Sequence, residues 1–426
     1  MGGRPESPRI AALRQDLEAG DAAALQTFWR EVEERGTPLI EPLPDDPTHY
    51  LVTFVWRGNE DTKNVLVLSR FPSGEKTNRQ LQRLPATDLW YSGTYLARSD
   101  ERTMYTFSPN DPEMLGMPPE KWKDLSQRQA DPLNRLPFVV PRDEEHADYE
   151  PVFGPRWKLS QVVLPEALRH DYLDPRPDVP VGNVEAYRVQ SVVLGNERRV
   201  WVYAPPGYLR GREPYRLLLI FDGWWSISIN RTPTVLDNLI AEGAIPPVLA
   251  VFVDHPDFAS RQEELPCNPR FDEFLINELL PWVHALYDVT TDATRRAVVG
   301  FSYGGLAAGF VAFRHPDLFG NVLSQSGSFY WKPDSDTEHE WLARQVAASP
   351  TLPIRWYLEV GLYEGLLDEE PAEERAGPGI LVANRHLRTI LRMRGYRVHY
   401  SEFSGAHDFG YWRWTFPITL KTLLAD

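Results

Sequence analysis

Short, nearly continuous apolar runs recur through the second half of the chain, at residues 200–203, 217–221, 248–253, 296–300, 322–324, 355–360 and 397–403. Between several of them, at 236–240, 271–287, 305–314 and 381–393, apolar positions fall three and four apart, as on one face of a helix. Strands apolar on both sides, alternating with amphipathic helices, predict a mostly parallel sheet covered on both faces. Upstream the pattern differs. Residues 49–56, 64–68, 89–96 and 102–107 are short, β-branched and aromatic, with Pro, Gly and Asn between them, which predicts a small β-sandwich of immunoglobulin-like type. The first forty residues carry the helical spacing of Ile10, Leu13, Leu25, Phe28 and Trp29 until Pro38, Pro42 and Pro44 end it. The expected division is therefore a helical segment at 1–45, a β-sandwich at 46–145, an irregular proline-rich connector at 146–181 and an α/β domain at 182–426.

Composition narrows the classes. At about 150 residues per domain, 426 residues accommodate two or three. Nowhere do roughly 18 apolar residues run together, as a membrane helix requires, and residues 1–14 lack the apolar centre of a secretory signal. A cytoplasmic protein without membrane contact is expected. The single cysteine, Cys267, excludes an internal disulfide framework and a multi-cysteine metal site. A net charge of −15 argues against wide contact with nucleic acid or anionic lipid.

The candidate chemistry centres on Gly300-Phe301-Ser302-Tyr303-Gly304, a G-x-S-x-G sequence with Val298 and Val299 before it and helix-forming Leu306, Ala307 and Ala308 after it. Such a strand-to-helix turn exposes a serine as nucleophile, and small residues on either side let the chains approach. The expected fold is thus an α/β-hydrolase, in which the order is nucleophile, acid, histidine. Among His315, His339, His386, His399 and His407, only His407 sits in a turn after a late strand, so it is the expected base. Glu364, in the loop after the run at 355–360, is the expected acid, with Asp368 its rival and Asp334 a weaker one. The oxyanion donors would be the backbone N–H groups of Tyr303 and of Trp224, the latter in the loop that follows the run at 217–221 and turns at Gly223. Trp225 beside it is a candidate substrate contact or a core residue.

Five segments occur in one order: Leu219-Ile220-Phe221-Asp222-Gly223, Glu264-Leu265-Pro266-Cys267-Asn268, Gly300 to Gly305, Leu323-Ser324-Gln325-Ser326-Gly327-Ser328 and Gly405-Ala406-His407-Asp408. In these the chain resembles the enterochelin (enterobactin) esterase family of esterase-D-like α/β-hydrolases, and residues 52–57 and 130–134 resemble that family's N-terminal domain. The resemblance implies cytoplasmic hydrolysis of a ferric catecholate siderophore at the ester bonds of its triserine lactone. It implies Ser302, His407 and Glu364 as the triad, Trp224 and Tyr303 as the oxyanion hole, and Arg261 and Asn268 at the mouth of the site. The N-terminal sandwich would cover or narrow that site.

A ferric tricatecholate carries about three negative charges and calls for a local basic patch. Arg231, Arg261, Lys332 and Arg413 can supply one, whereas the acidic run at 368–374 would repel the ligand. No metal or organic cofactor is required; iron would arrive within the substrate. The competing readings are a general or feruloyl-type carboxylesterase, an acyltransferase using the same serine, and a binding protein that keeps the fold without the chemistry.

Overall fold

The computed structural model describes residues 6–69, 79–112, 114–116, 128–145, 158–211, 213–365 and 378–424. It forms two units. The first comprises Met1–Arg142, Glu150–Leu168 and Ser404–Tyr411, and the second Asp143–Tyr149, Arg169–Phe403 and Trp412–Asp426.

The first unit opens with two helices, Pro8–Glu18 and Ala24–Arg35. The Ser7 side chain accepts from Ile10 N at the start of the first, with Pro8 in its opening turn, a combination that satisfies or removes otherwise orphaned N–H groups. Gly20, at φ 85°, breaks the helical run between them. Helix ends at Arg35, and Leu39–Leu43 is already a strand, so the expected helical segment at 1–45 is shorter than its composition suggested. Antiparallel sheets follow. One contains Leu39–Leu43, Asp46–Thr53 and Tyr95–Arg98, and another Val65–Ser69, Arg102–Pro109, Lys158–Val163 and Pro137–Val139. Val52 and Ala97 from the first share a core with Val65, Phe107 and Val162 from the second. A third sheet, Val55–Arg57, Leu89–Tyr91 and Gln82–Arg83, is covered by Phe28, Trp29 and Val32 of the second helix. The strand Lys158–Val163 lies within the segment expected to be a connector. It pairs with Arg102–Pro109 because Ser160 and Val162 turn inward, a period-two pattern that the surrounding prolines obscure.

The second unit is built on one eight-stranded sheet. In chain order its strands are β1 (Asn183–Ser191), β2 (Asn196–Ala204), β3 (Arg216–Phe221), β4 (Val248–Val253), β5 (Arg296–Phe301), β6 (Asn321–Gln325), β7 (Arg355–Gly361) and β8 (Arg397–Phe403). They lie in the order β1-β2-β4-β3-β5-β6-β7-β8, antiparallel as far as β4 and parallel from there on. Alternation along each strand separates two cores. Leu217, Leu219 and Phe221 face one side with Leu249, Val251 and Val253, while Leu218 and Ile220 face the other with Ala250 and Phe252. Helix Tyr303–Arg314 packs its Leu306, Phe310 and Val311 on the first side, and Phe416 and Leu420 of Phe409–Leu424 cover the second. The segment read as one helix at 271–287 is helical as far as Leu286 and passes through a π-helical turn, Leu275–Leu279. Among the described residues no helix is long and apolar enough to cross a membrane.

Candidate active site

Strand β5 ends at Phe301, helix Tyr303–Arg314 begins two residues later, and Ser302 joins them at φ 55° and ψ −123°. A non-glycine residue in that region costs about 1–3 kcal/mol and persists only where its surroundings fix it. Here Ser302 N donates to Gln325 O at 3.0 Å, and Ser302 O accepts from Ser328 N at 3.0 Å and from Leu306 N at 3.1 Å. The glycines serve close approach rather than flexibility. A Cβ on Gly300 would lie 2.3 Å from the backbone of Gly304, and one on Gly305 would lie 2.4 Å from Ser324 Oγ. Ser302 Oγ sits 3.4 Å from Ser328 Oγ. Tyr303 N, at the first helical position, has no acceptor among the described residues, so its N–H and the positive end of the helix favour an anion beside the serine.

Glu364, in the turn after β7, is 3% exposed. Its Oε1 accepts from Gly361 N at 2.7 Å and from Ser326 Oγ. Ser326 Oγ in turn accepts from Trp412 Nε1 at 2.8 Å. Ser326 has φ 49°, and its N–H donates to Glu359 O at 2.7 Å. The loop after β6 thus touches both candidates: Gln325 and Ser328 hold Ser302, and Ser326 holds Glu364. Asp334 is exposed, and Asp368 and the acidic run at 368–374 lie outside the described residues.

One carboxyl group behind this loop stands out. Glu359 on β7 is buried, with Gln325 Nε2 donating to its Oε1 at 2.6 Å and Thr415 Oγ1 donating to the same oxygen. Burial raises its pKa to about 7, the Thr415 and Gln325 bonds oppose that rise, and the nearby Glu364 charge adds to it.

His407 follows β8 in the turn before helix Phe409–Leu424 and is half-buried. It belongs to the segment that clusters with the first unit, where Arg98 Nε donates to Ser404 Oγ at 2.7 Å. The other downstream histidines are committed elsewhere. His315 Nε2 meets Asp272 at 3.0 Å, His339 Nδ1 the Tyr330 carbonyl at 3.0 Å and His386 Nδ1 Glu340 at 2.9 Å, while His399 stacks on Tyr357.

The remaining candidates separate into three groups. Trp224 N lies 3.5 Å from Asp254 Oδ1, a long bond that an oxyanion can replace, since Arg199 also holds Asp254. Trp225 is core, 6% exposed and stacked on Phe301. Arg261 departs from the expectation of a mouth-lining residue: it is 4% exposed and grips Asp222 through Nε at 2.5 Å and a terminal nitrogen at 2.9 Å, with Trp225 beneath its guanidinium. Asp222, at φ 54°, is the turn residue before Gly223 and Trp224, so the pair sets the loop that carries Trp224. Asn268 caps helix Pro269–Phe274 by accepting from Arg270 N at 2.8 Å, a structural task. Lys332 Nζ bonds the Asp336 carbonyl at 2.6 Å. Arg231 is exposed and pairs with Asp174 at 2.9 Å. Arg413 is drawn down to about 10 by burial and then by the Arg231 charge, which places two guanidinium groups near each other. Among the described residues no cluster of histidine, cysteine and carboxylate side chains is arranged to hold a metal ion.

Two family models match the chain. One, described as a putative esterase, covers residues 191–423, and one described as the N-terminal part of enterochelin esterase covers 51–173. The iron(III) enterobactin esterase of Dickeya dadantii is 28% identical over 95% of this chain and 93% of its own length. That of Yersinia enterocolitica is 31% identical over 69% of this chain and 86% of its own. The crystal structure of the Shigella flexneri enterobactin esterase in the presence of enterobactin superposes with a TM-score of 0.71 at 27% identity, covering 93% of this chain and 97% of that one.

Two outcomes follow from the loop after β6. Ser326→Ala removes the hydroxyl on Glu364, and kcat on p-nitrophenyl butyrate is expected to fall about tenfold or more with KM little changed; an unchanged kcat contradicts the role. For Glu359 the sign is set by a folded-state pKa raised above its ordinary value of 4.5. The folded state then binds more protons than the unfolded one between about pH 4.5 and 7, so this group's contribution falls as pH rises through that window. Denaturation of Glu359→Gln beside wild type should show the variant gaining roughly 1–3 kcal/mol relative to wild type between pH 5 and pH 8. A difference independent of pH would contradict an ionisable, buried Glu359.

Proposed function

The chain belongs to the enterochelin esterase family, and from that premise we propose that it hydrolyses the ester bonds of a ferric catecholate siderophore through a Ser302–His407–Glu364 triad. The observation that carries the chemistry is Ser302 at a strained strand-to-helix turn, sharing the loop after β6 with the buried Glu364. Ser302 Oγ attacks the ester carbonyl as the His407 imidazole takes its proton. In this reading the Glu364 carboxylate, anchored by Ser326 and Gly361, holds the imidazole in the productive tautomer and stabilises the imidazolium. Tyr303 N–H and Trp224 N–H receive the oxyanion. The tetrahedral intermediate collapses, His407 returns the proton to the leaving alkoxide, and an acyl group remains on Ser302. Water activated by the same imidazole then releases the acid and restores the serine.

The substrate reading is supported by the match of the N-terminal domain model to residues 51–173 and by the relatives that bear the enterobactin name over most of their length. In a chain of net charge −15, Arg231, paired with Asp174, and the neighbouring Arg413 contribute positive charge toward an anionic complex. We assign them to the catecholate side of the substrate, and place the reaction in the cytoplasm, where iron is then released.

Ferric enterobactin and p-nitrophenyl butyrate assayed side by side test this reading. Wild type is expected to turn over both, and Ser302→Ala to lose at least about 1,000-fold in kcat/KM on each. Cleavage of the butyrate alone would leave an esterase of another substrate and remove the siderophore assignment. Full activity of Ser302→Ala would remove the triad.

A further inference from the structure

On the face of the central sheet that helix Phe409–Leu424 covers, the rows of side chains are apolar until the last. Val299 on β5, Leu323 on β6 and Tyr357 on β7 are register partners within one core. Two residues further along each strand, and so on the same face, the next row is Phe301, Gln325 and Glu359. Gln325 and Glu359 are each 1% exposed. A buried amide beside a buried carboxyl is costlier than the apolar side chains one row below, unless their hydrogen bonds are made. Phe301, the third member of the row, directly precedes Ser302.

This row is tied to a single turn of the helix. Gln325 Nε2 donates to Glu359 Oε1 at 2.6 Å, and it also meets Trp412 O and Thr415 Oγ1, each at 3.1 Å. Thr415 Oγ1 donates to the same Glu359 oxygen. The Trp412 ring stacks on Phe301 with centroids 5.2 Å apart. Of the bonds made by the Gln325 amide, the one to Glu359 is the shortest, and ionisation of the carboxyl makes it charge-assisted. The backbone carries the effect onward. Ser326 N donates to Glu359 O at 2.7 Å, and Gln325 O accepts from Ser302 N at 3.0 Å.

We propose that Glu359 is a positioning residue for Ser302, fixing the Gln325 amide and with it the carbonyl that holds the Ser302 backbone. This role rests on the esterase reading, in which Ser302 is the nucleophile. Ser302 at φ 55° and Ser326 at φ 49° both occupy strained backbone, which persists only where neighbours over-determine it. Glu359 anchors the segment between them from its side chain and from its own carbonyl. A displacement of about 1 Å at the reacting atom costs about 100-fold in rate, so loss of this anchor is read in kcat rather than in KM.

Glu359→Leu removes the acceptor. Gln325 and Thr415 keep the Trp412 carbonyl, so no donor is stranded and the variant is expected to fold. Hydrolysis of p-nitrophenyl butyrate is measured below the unfolding transition of each variant, with rates expressed per folded chain. The expected result for Glu359→Leu is a kcat at least about tenfold lower with KM within about twofold of wild type. Labelling of Ser302 by a fluorophosphonate should slow by the same factor. Glu359→Gln keeps an oxygen acceptor in place and is expected to restore kcat to within about threefold of wild type. Gln325→Met, similar in length but without the amide, is expected to lose as much as Glu359→Leu, and it carries the test should that variant not fold. A purely structural Glu359 lowers the unfolding temperature and leaves kcat per folded chain unchanged. That result in Glu359→Leu or Gln325→Met, or equal losses in Glu359→Gln and Glu359→Leu, would overturn the proposal. Ser302→Ala separates the two claims: activity retained there removes the nucleophile and this role together, whereas an inactive Ser302→Ala beside a fully active Glu359→Leu removes this role alone.

Discussion

The backbone of Ser302, held at positive φ between a buried strand and a buried helix, is the constraint on which the second unit is arranged. Such a turn is unfavourable in isolation. It survives because the chains around it approach more closely than any side chain permits: Gly300 against Gly304, and Gly305 against Ser324 Oγ. The loop after β6 closes the arrangement from the other side, since Gln325 O and Ser328 N bond the serine backbone in both directions. What holds Ser302 therefore also fixes Ser326, and through Ser326 the carboxylate of Glu364.

A second layer of charge stands behind the loop of Trp224. Arg261 grips Asp222, His255 Nδ1 meets Glu264 at 2.8 Å, and Arg198 holds Glu264 through two bonds at 2.8 and 2.9 Å. Burial works to raise the Glu264 pKa, yet the bonds from Arg198 and His255 bring it down to about 2. Buried ion pairs of this kind are weak contributors to net stability, because desolvation offsets their attraction. Their value here is geometric. Asp222 occupies a left-handed turn immediately before Gly223 and Trp224, and a bidentate arginine leaves that turn one orientation.

Most of the central sheet was legible in the sequence because strands buried on both faces must be apolar at every position, and 217–221, 248–253 and 296–301 are apolar from their second residue on. The edge strand Asn183–Ser191 escapes the same logic: seven of its first eight positions are exposed or half-buried, and Asn183, Glu185, Arg188 and Gln190 interrupt its apolar residues, so no apolar run announces it. G-x-S-x-G marked the strand-to-helix turn at Ser302 through local spacing alone. The support of Glu364 left no such trace, since Trp412 and Ser326 are 86 residues apart and meet only when the last helix docks on the sheet. The family resemblance put Arg261 and Asn268 at the mouth of the site; burial beside Asp222 and a helix-capping position, neither of which the sequence displays, give them structural tasks.

A fluorophosphonate probe, which reacts only with a serine activated by its neighbours, addresses the central claim most directly. The account predicts one adduct per chain, mapped by peptide mass spectrometry to Ser302. An adduct on another serine, or no adduct on the folded wild-type chain, would contradict it.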